Sequence, residues 1–230
     1  MLLAIDTSTQ WIGIALYDGT QVLGELTWQT KQHHTVELSL AIEDLLKRCN
    51  IKVTALKTLA VARGPGAFTG LRIGMAVVKG MALALHLPVI SIPTFDILAY
   101  AQPVQDLPLG TILQAGRKRL AVGWYAMQQK SSQTRGNWIH EGENQLTTAE
   151  DLANQLTSPT LLCGEMNSSD RKTLKRNSKF ALMASPAQSA RHPSNLAELA
   201  WKRWKKDDCD DVVTLAPIYL KTTKNPGESV

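Results

Sequence analysis

The segment from Gly70 to His86 has helical length and is apolar almost all the way round. Turned at about 100° per residue, Arg72 and Lys79 share one narrow sliver. Met75, Val78, Ala82 and Leu83 stand close to that sliver, and Ile73, Val77, Met81 and Leu85 spread over the rest. A helix laid on a sheet buries one stripe, so this helix needs cover twice: from its own sheet and from a second body. That body is either another domain of the same chain or a partner protein. Gly70, Gly74, Ala76, Gly80 and Ala84 are small enough to let a second backbone come close.

The loop that launches the helix is RGPGAFTGLRIG, residues 63 to 74. A Walker loop needs Lys and then Ser or Thr after its second glycine, and here Leu71 and Arg72 follow Gly70. A dinucleotide fingerprint fits Gly64, Gly66 and Gly70 between a strand and a helix, but the next strand, Val89 to Ile92, offers no acid for a ribose. Pro65 also removes a backbone donor from the tip. The plainer reading is a tight turn with close helix-to-strand approach, Thr69 capping the helix.

Around this loop the pattern reads as three strands, helix, strand, helix, strand, helix. Leu2 to Asp6 and Trp11 to Tyr17 are strand-like, the second ending in the hairpin signal Asp18-Gly19, and a third strand follows near Val22 to Trp28. Thr35 to Arg48 is an amphipathic helix with Leu38, Ile42, Leu45, Leu46 and Cys49 on one stripe. Leu59 to Ala62 and Val89 to Ile92 are short buried strands, and Thr94 opens a helix toward Tyr100. An antiparallel set beside parallel crossovers suits a ribonuclease-H-like or actin-like α/β half.

Two prolines between Gln102 and Gly110 mark a boundary, giving an N-terminal domain over 1–102 and a smaller one over 103–230 whose last segment is able to pack back on the first. In the second, strands are expected near Thr111 to Ala115, Leu120 to Met127, Thr160 to Cys163 and Phe180 to Ala184, a hairpin tip over Gln128 to Asn137, a capping box at Thr147 to Glu150 and a helix over Ser194 to Lys206. No internal repeat is visible in the sequence.

The 230 residues are 44% hydrophobic, enough for an ordinary core, and Arg72 and Lys79 interrupt the most apolar stretch. MLLAIDTSTQ lacks a basic region before its apolar run and reads as a strand. Cys49, Cys163 and Cys209 lack zinc or redox spacing and read as unpaired thiols in a reducing compartment, so a cytoplasmic protein is expected. The formal charge of +5 permits contact with nucleic acid without demanding it.

On the helix from Thr35, Val36 and Leu40 fall opposite the core stripe, among Glu43, Asp44 and Lys47. Two helices thus offer apolar surface outward, and the interface expected on them comprises Val36, Leu40, Glu43, Lys47, Leu71, Arg72, Met75, Val78, Lys79 and Ala82. Each buried Val, Leu or Met there stabilises a complex by about 1.5 to 3 kcal/mol.

LAIDTS at residues 3 to 8, ARGPGAFTGLRIG at 62 to 74 and APIYLK near the end resemble the TsaB family, also called YeaZ. The likeness is specific over the first hundred residues or so and weak beyond them until Pro217, Tyr219 and Leu220. It implies two actin-like (ASKHA) domains with mixed sheets flanked by helices. It also implies a noncatalytic scaffold that pairs through N-terminal helices with a catalytic paralogue, TsaD, and works with the ATPase TsaE. The implied product is threonylcarbamoyladenosine beside the anticodon of tRNAs reading codons that begin with A. ATP and metal are then expected in the partner subunits and none in this chain, and no membrane contact is expected; the outward apolar face leaves the isolated chain either a homodimer or a monomer. The motif-loop residues carrying the resemblance are Arg63, Gly64, Pro65, Gly66, Phe68, Thr69 and Gly70. One departure stands out: where the family has Asp-Ala-Arg followed by Gly-Glu, this chain has Gln114-Ala115-Gly116-Arg117-Lys118-Arg119. The basic triplet is either a solvated hairpin turn or a contact for RNA.

Asp6, Thr7 and Ser8 stand where actin-like ATPases place their first phosphate loop, and the competing reading is therefore an ATP-dependent small-molecule kinase. Thr9, Gln10 and Trp11 follow where such loops use glycine, which favours a vestigial turn. A metallopeptidase reading would rest on His33, His34 and Glu37, of which His33 and Glu37 give two ligands without a third or fourth. His86, His140 and His192 are scattered imidazoles, and Lys202 to Asp211 forms opposite charge blocks expected at a solvated helix end.

Overall fold

The computed structural model describes residues 1–30, 34–128 and 137–220; of His34 and Thr35 the backbone alone is described. The first strands, β1 (Leu2–Asp6), β2 (Trp11–Tyr17) and β3 (Val22–Gln29), are followed by α1 (His34–Arg48), β4 (Thr58–Gly64), α2 (Phe68–Leu85), β5 (Val89–Pro93) and α3 (Thr94–Tyr100). They build a five-stranded sheet in the order β3-β2-β1-β4-β5. β1 runs antiparallel to β2 and parallel to β4, which is parallel to β5. The Asp18-Gly19 turn forms as its residues demand. Asp18 Oδ1 accepts from the N–H groups of Thr20 at 2.8 Å and Gln21 at 2.9 Å, and Gly19 takes φ 105°.

The central strand β1 is buried on both faces, which its LLAID sequence allows. Leu3 and Ile5 join Leu38, Ile42, Leu45, Met75 and Val78 of α1 and α2 in one core. Leu2 and Ala4 meet Leu196, Ala197 and Ala200 of α6 (Pro193–Trp204) in the other. Alanines on that second face, Ala4, Ala15, Ala60 and Ala62, let α6 lie close.

The remaining elements are β6 (Leu109–Ala115), β7 (Arg119–Gln128), β8 (Asn137–Thr147), α4 (Ala149–Gln155), β9 (Thr160–Gly164), α5 (Ser168–Asn177) and β10 (Ala181–Met183). Their sheet has the order β10-β9-β6-β7-β8. Read from the other edge this is the first sheet again: β6 is antiparallel to β7 and parallel to β9, as β1 is to β2 and β4. The chain divides into two compact units, one made of Met1–Pro103 with Ser185–Ile218 and one of Val104–Ala184 with Tyr219 onward. Each unit carries one mixed sheet flanked by helices, the actin-like α/β class expected from the element order.

Several local expectations change. Thr69 is not the cap of α2: the N-cap is Ala67, in extended geometry and without a side-chain hydrogen bond, and Thr69 lies inside the helix. Nor does Thr94 cap α3, whose N-cap is Pro93; the Thr94 hydroxyl is buried without a hydrogen-bond partner. The capping pair of α4 is shifted by one residue, Thr148 accepting from the N–H of Asp151 at 3.1 Å and donating its hydroxyl to the carboxylate at 2.8 Å. α5 escapes hydropathy reading because Leu174 is its one buried residue. The expected strand at Phe180 to Ala184 shortens to Ala181–Met183. The hairpin tip read over Gln128 to Asn137 falls, from 129 to 136, outside the described residues.

Candidate functional site

Asp6 ends β1 in the interior, where its two oxygens are both used. Ser8 gives Oδ1 its backbone N–H at 2.9 Å and its hydroxyl at 2.5 Å. Arg191 gives Oδ2 its Nε–H at 2.5 Å, and its side chain and that of Asp6 are each 3% exposed. A second guanidinium nitrogen reaches Thr9 Oγ1 at 3.0 Å, while the Thr7 hydroxyl donates to the carbonyl of Gly70 at 2.7 Å. A magnesium-bound nucleotide would need Asp6 facing an open phosphate loop; a guanidinium of this chain stands there instead. The residues do not fit that group. No pattern in the sequence around Arg191 announces this role, because its partner lies 185 positions away.

The glycine loop serves the same junction. A Cβ on Gly66 would collide with the Ser8 carbonyl oxygen, and one on Gly74 with Thr7 Oγ1. Gly64, at φ 107°, faces the carbonyl of Ile218. Arg63 holds that same segment: its carbonyl accepts from the N–H of Ile218 at 2.8 Å, and its Nε–H donates to Ala216 at 3.0 Å. Glycine is needed here for close backbone approach, as the plainer reading of the loop has it. Pro65 is buried, and Gly66, Phe68 and Thr69 are exposed.

The charge blocks at the end of α6 and just beyond it are not a loose solvated end. Arg203 binds Asp208 at 2.7 Å and donates to the Ser91 carbonyl at 2.7 Å, while Asp210 accepts from the Ser91 N–H at 2.6 Å. Lys79 donates to the Val213 carbonyl at 3.2 Å. The segment is thereby tied to β5 and α2.

On the two outer helices the structure corrects the expected interface. Leu71, Met75, Val78 and Ala82 are buried in the chain's own core, so they are not the outward face of α2. The error is one of phase: a helix apolar all round does not reveal which stripe meets its sheet. The exposed stripe runs through Arg72, Ala76, Gly80 and Leu83, the last 67% exposed, and a Cβ on Gly80 would meet nothing within 4 Å. Phe68, 53% exposed, carries the Arg72 guanidinium 3.7 Å from its ring centroid. Val36 and Leu40 of α1 are exposed as expected, at 66% and 62%, with Glu43 and Lys47 paired beside them at 2.6 Å. α2 is long and apolar enough to cross a membrane by length and composition alone, yet its inner face packs on the first sheet.

Among the described residues no three His, Cys, Asp or Glu groups cluster; Glu37 accepts from the Trp28 indole at 2.9 Å; His33 lies outside the described residues.

The family model described as TsaD, tRNA N6-adenosine threonylcarbamoyltransferase, matches residues 21–158. A Bacillus subtilis protein named tRNA threonylcarbamoyladenosine biosynthesis protein TsaB is 28% identical over 96% of this chain and 93% of its own length. A tRNA N6-adenosine threonylcarbamoyltransferase of Streptococcus mutans is 38% identical over 37% of this chain and 26% of its own. The structure of YeaZ from Pseudomonas aeruginosa superposes with a TM-score of 0.74 at 27% identity, covering 95% of this chain and 99% of that one. Matched by the family model over more than half its length and by TsaB and YeaZ proteins nearly end to end, the chain belongs to this threonylcarbamoyl family, on its TsaB (YeaZ) side.

Proposed function

We propose that the chain is a noncatalytic scaffold in the formation of threonylcarbamoyladenosine on tRNA, docking a TsaD-like paralogue on the outer faces of α1 and α2. The observation that carries this reading is the exposed stripe of small and apolar residues, Ala76, Gly80 and Leu83 with Val36 and Leu40, on two adjacent helices of one unit. Small residues allow two helices to approach closely, and Leu83, Val36 and Leu40 supply the apolar area that stabilises the contact. The match of its own chain to the TsaD model supports a partner of the same fold, because related surfaces pair readily in pseudo-symmetric fashion. Asp6 held by Arg191 supports the absence of a nucleotide of its own and weighs against a kinase. ATP and metal then belong to the TsaD-like and TsaE-like subunits, tRNA is met through the complex, and the assembly works in the cytoplasm. Without its partner, the same stripe pairs two copies of this chain.

Sedimentation of the chain alone and mixed with its TsaD-like paralogue tests this, comparing wild type with Leu83→Glu. A one-to-one complex that the substitution removes is the expected result. A pair that stays separate at micromolar concentration overturns the proposal.

A further inference from the structure

The hairpin between β6 and β7 turns through Gly116, Arg117 and Lys118. Arg117 and Lys118 take φ 62° and 59°, the left-handed region that Gly or Asn fills with far less strain. Two long cations therefore stand where the backbone favours neither. Both are exposed, and among the described residues neither has an ion-pair partner. Of the acids on the adjoining helices, Asp170 of α5 accepts from Gln114 Nε2 at 2.5 Å and Asp151 of α4 from the Thr148 hydroxyl, while Glu150 of α4 is exposed.

Beside the turn lies a groove of about 550 Å³ lined by Arg119, Leu146, Thr147, Thr148, Asp151, Asn154 and Gln155. Arg119 joins the two features, donating its Nε–H to the Gly116 carbonyl at 3.4 Å. Gln155 accepts from Gln145 through its amide oxygen at 3.0 Å, which leaves its NH2 group directed to other acceptors, and the exposed Asn154 amide offers both donor and acceptor.

We infer that this hairpin and groove form an RNA contact on the second unit, Arg117 and Lys118 meeting backbone phosphates and the Asn154 and Gln155 amides meeting an unstacked nucleotide. The inference rests on the proposed role in tRNA modification. Charge alone would suit an acidic peptide equally. A pair of exposed planar amides in a groove beside the cations suits a nucleotide better, since amides match the hydrogen-bonding edges of bases.

The test is fluorescence anisotropy of a labelled, unmodified tRNA transcript with the full chain, across a salt series. Arg117→Asn/Lys118→Gly removes both charges while giving the turn the residues its backbone prefers, so folding is preserved and the melting temperature rises. Affinity at low salt should fall at least about fivefold, and the slope of log K against log salt should drop by about 1.4 to 1.8, at about 0.7 to 0.9 per phosphate contact. Asn154→Ala/Gln155→Ala should weaken binding with the slope unchanged. Unaltered affinity and slope in the folded turn variant would overturn the inference. So would a polyglutamate peptide that binds as tightly as the transcript and loses as much on the same substitution, which would assign the surface to an acidic protein. Mass spectrometry of tRNA from the reconstituted complex keeps the two readings apart. A wild-type complex whose product forms equally well without this chain sinks the scaffold role. A complex that requires the chain, with RNA binding untouched by the turn variant, sinks the RNA contact alone.

Discussion

Asp6 and Arg191 form a buried ion pair at 2.5 Å, joining the end of the first strand to the segment Ser185–Ile218, which rejoins the first unit after Ala184. Two charges removed from water tolerate each other only while both are present. Arg191→Ala should cost about 3 to 5 kcal/mol, because it strands the Asp6 carboxylate in the interior. The double variant Asp6→Asn/Arg191→Met should recover much of that loss. Urea unfolding followed by circular dichroism measures both, and titration calorimetry of the wild type with magnesium-ATP should show no binding heat.

The two sides of α2 should respond oppositely to the same chemistry. Val78 is 0% exposed, so Val78→Glu places a carboxylate in the core and should unfold the chain. Leu83→Glu, at a 67% exposed position, should change stability by about 0.5 kcal/mol or less while removing partner binding. Thermal melts run beside sedimentation separate a folding defect from a docking defect.

Glycines on α2 and its loop should likewise divide. Gly80→Ala adds a methyl to open space in a helix interior and should raise stability by about 0.5 to 1 kcal/mol. Gly66→Ala drives a Cβ into the Ser8 carbonyl and should lower it by about 1 to 3 kcal/mol. Calorimetric melting temperatures of the two variants read the contrast directly.

The thiols should differ with pH. Burial pushes the Cys163 thiol up to about 12, and Cys209 is raised first by partial burial and then by Asp207 and Asp208. A raised pKa lowers the thiolate fraction at any given pH, and the thiolate is the reacting form. In the native protein an aromatic disulfide reagent should label exposed Cys209, with a rate still climbing above the ordinary thiol range, and spare Cys163 until the chain is unfolded.

Local pattern was enough for much of the first unit. Short apolar runs and turn residues placed β1, β2 and the Asp18-Gly19 hairpin, and the spacing of Leu38, Ile42, Leu45 and Leu46 oriented α1 correctly, because a helix with one apolar stripe has only one way to face its sheet. α5 was invisible for the complementary reason: a helix held by Leu174 alone leaves no hydrophobic period to detect. The duplication of sheet order in the two units was equally hidden, since backbone pairing repeats without repeating side chains.

Residue spacing alone was enough for the fold class, the tight turn of the glycine loop and the all-round apolar character of α2. Those properties follow from residue spacing within a few turns of chain. Only tertiary structure decided which side of α2 was left outward, what closed the Asp6 loop and where α6 belonged. Each of those depends on a partner distant in sequence: the sheet that buries Val78, the guanidinium of Arg191, and the alanine-lined face of the first sheet on which α6 lies.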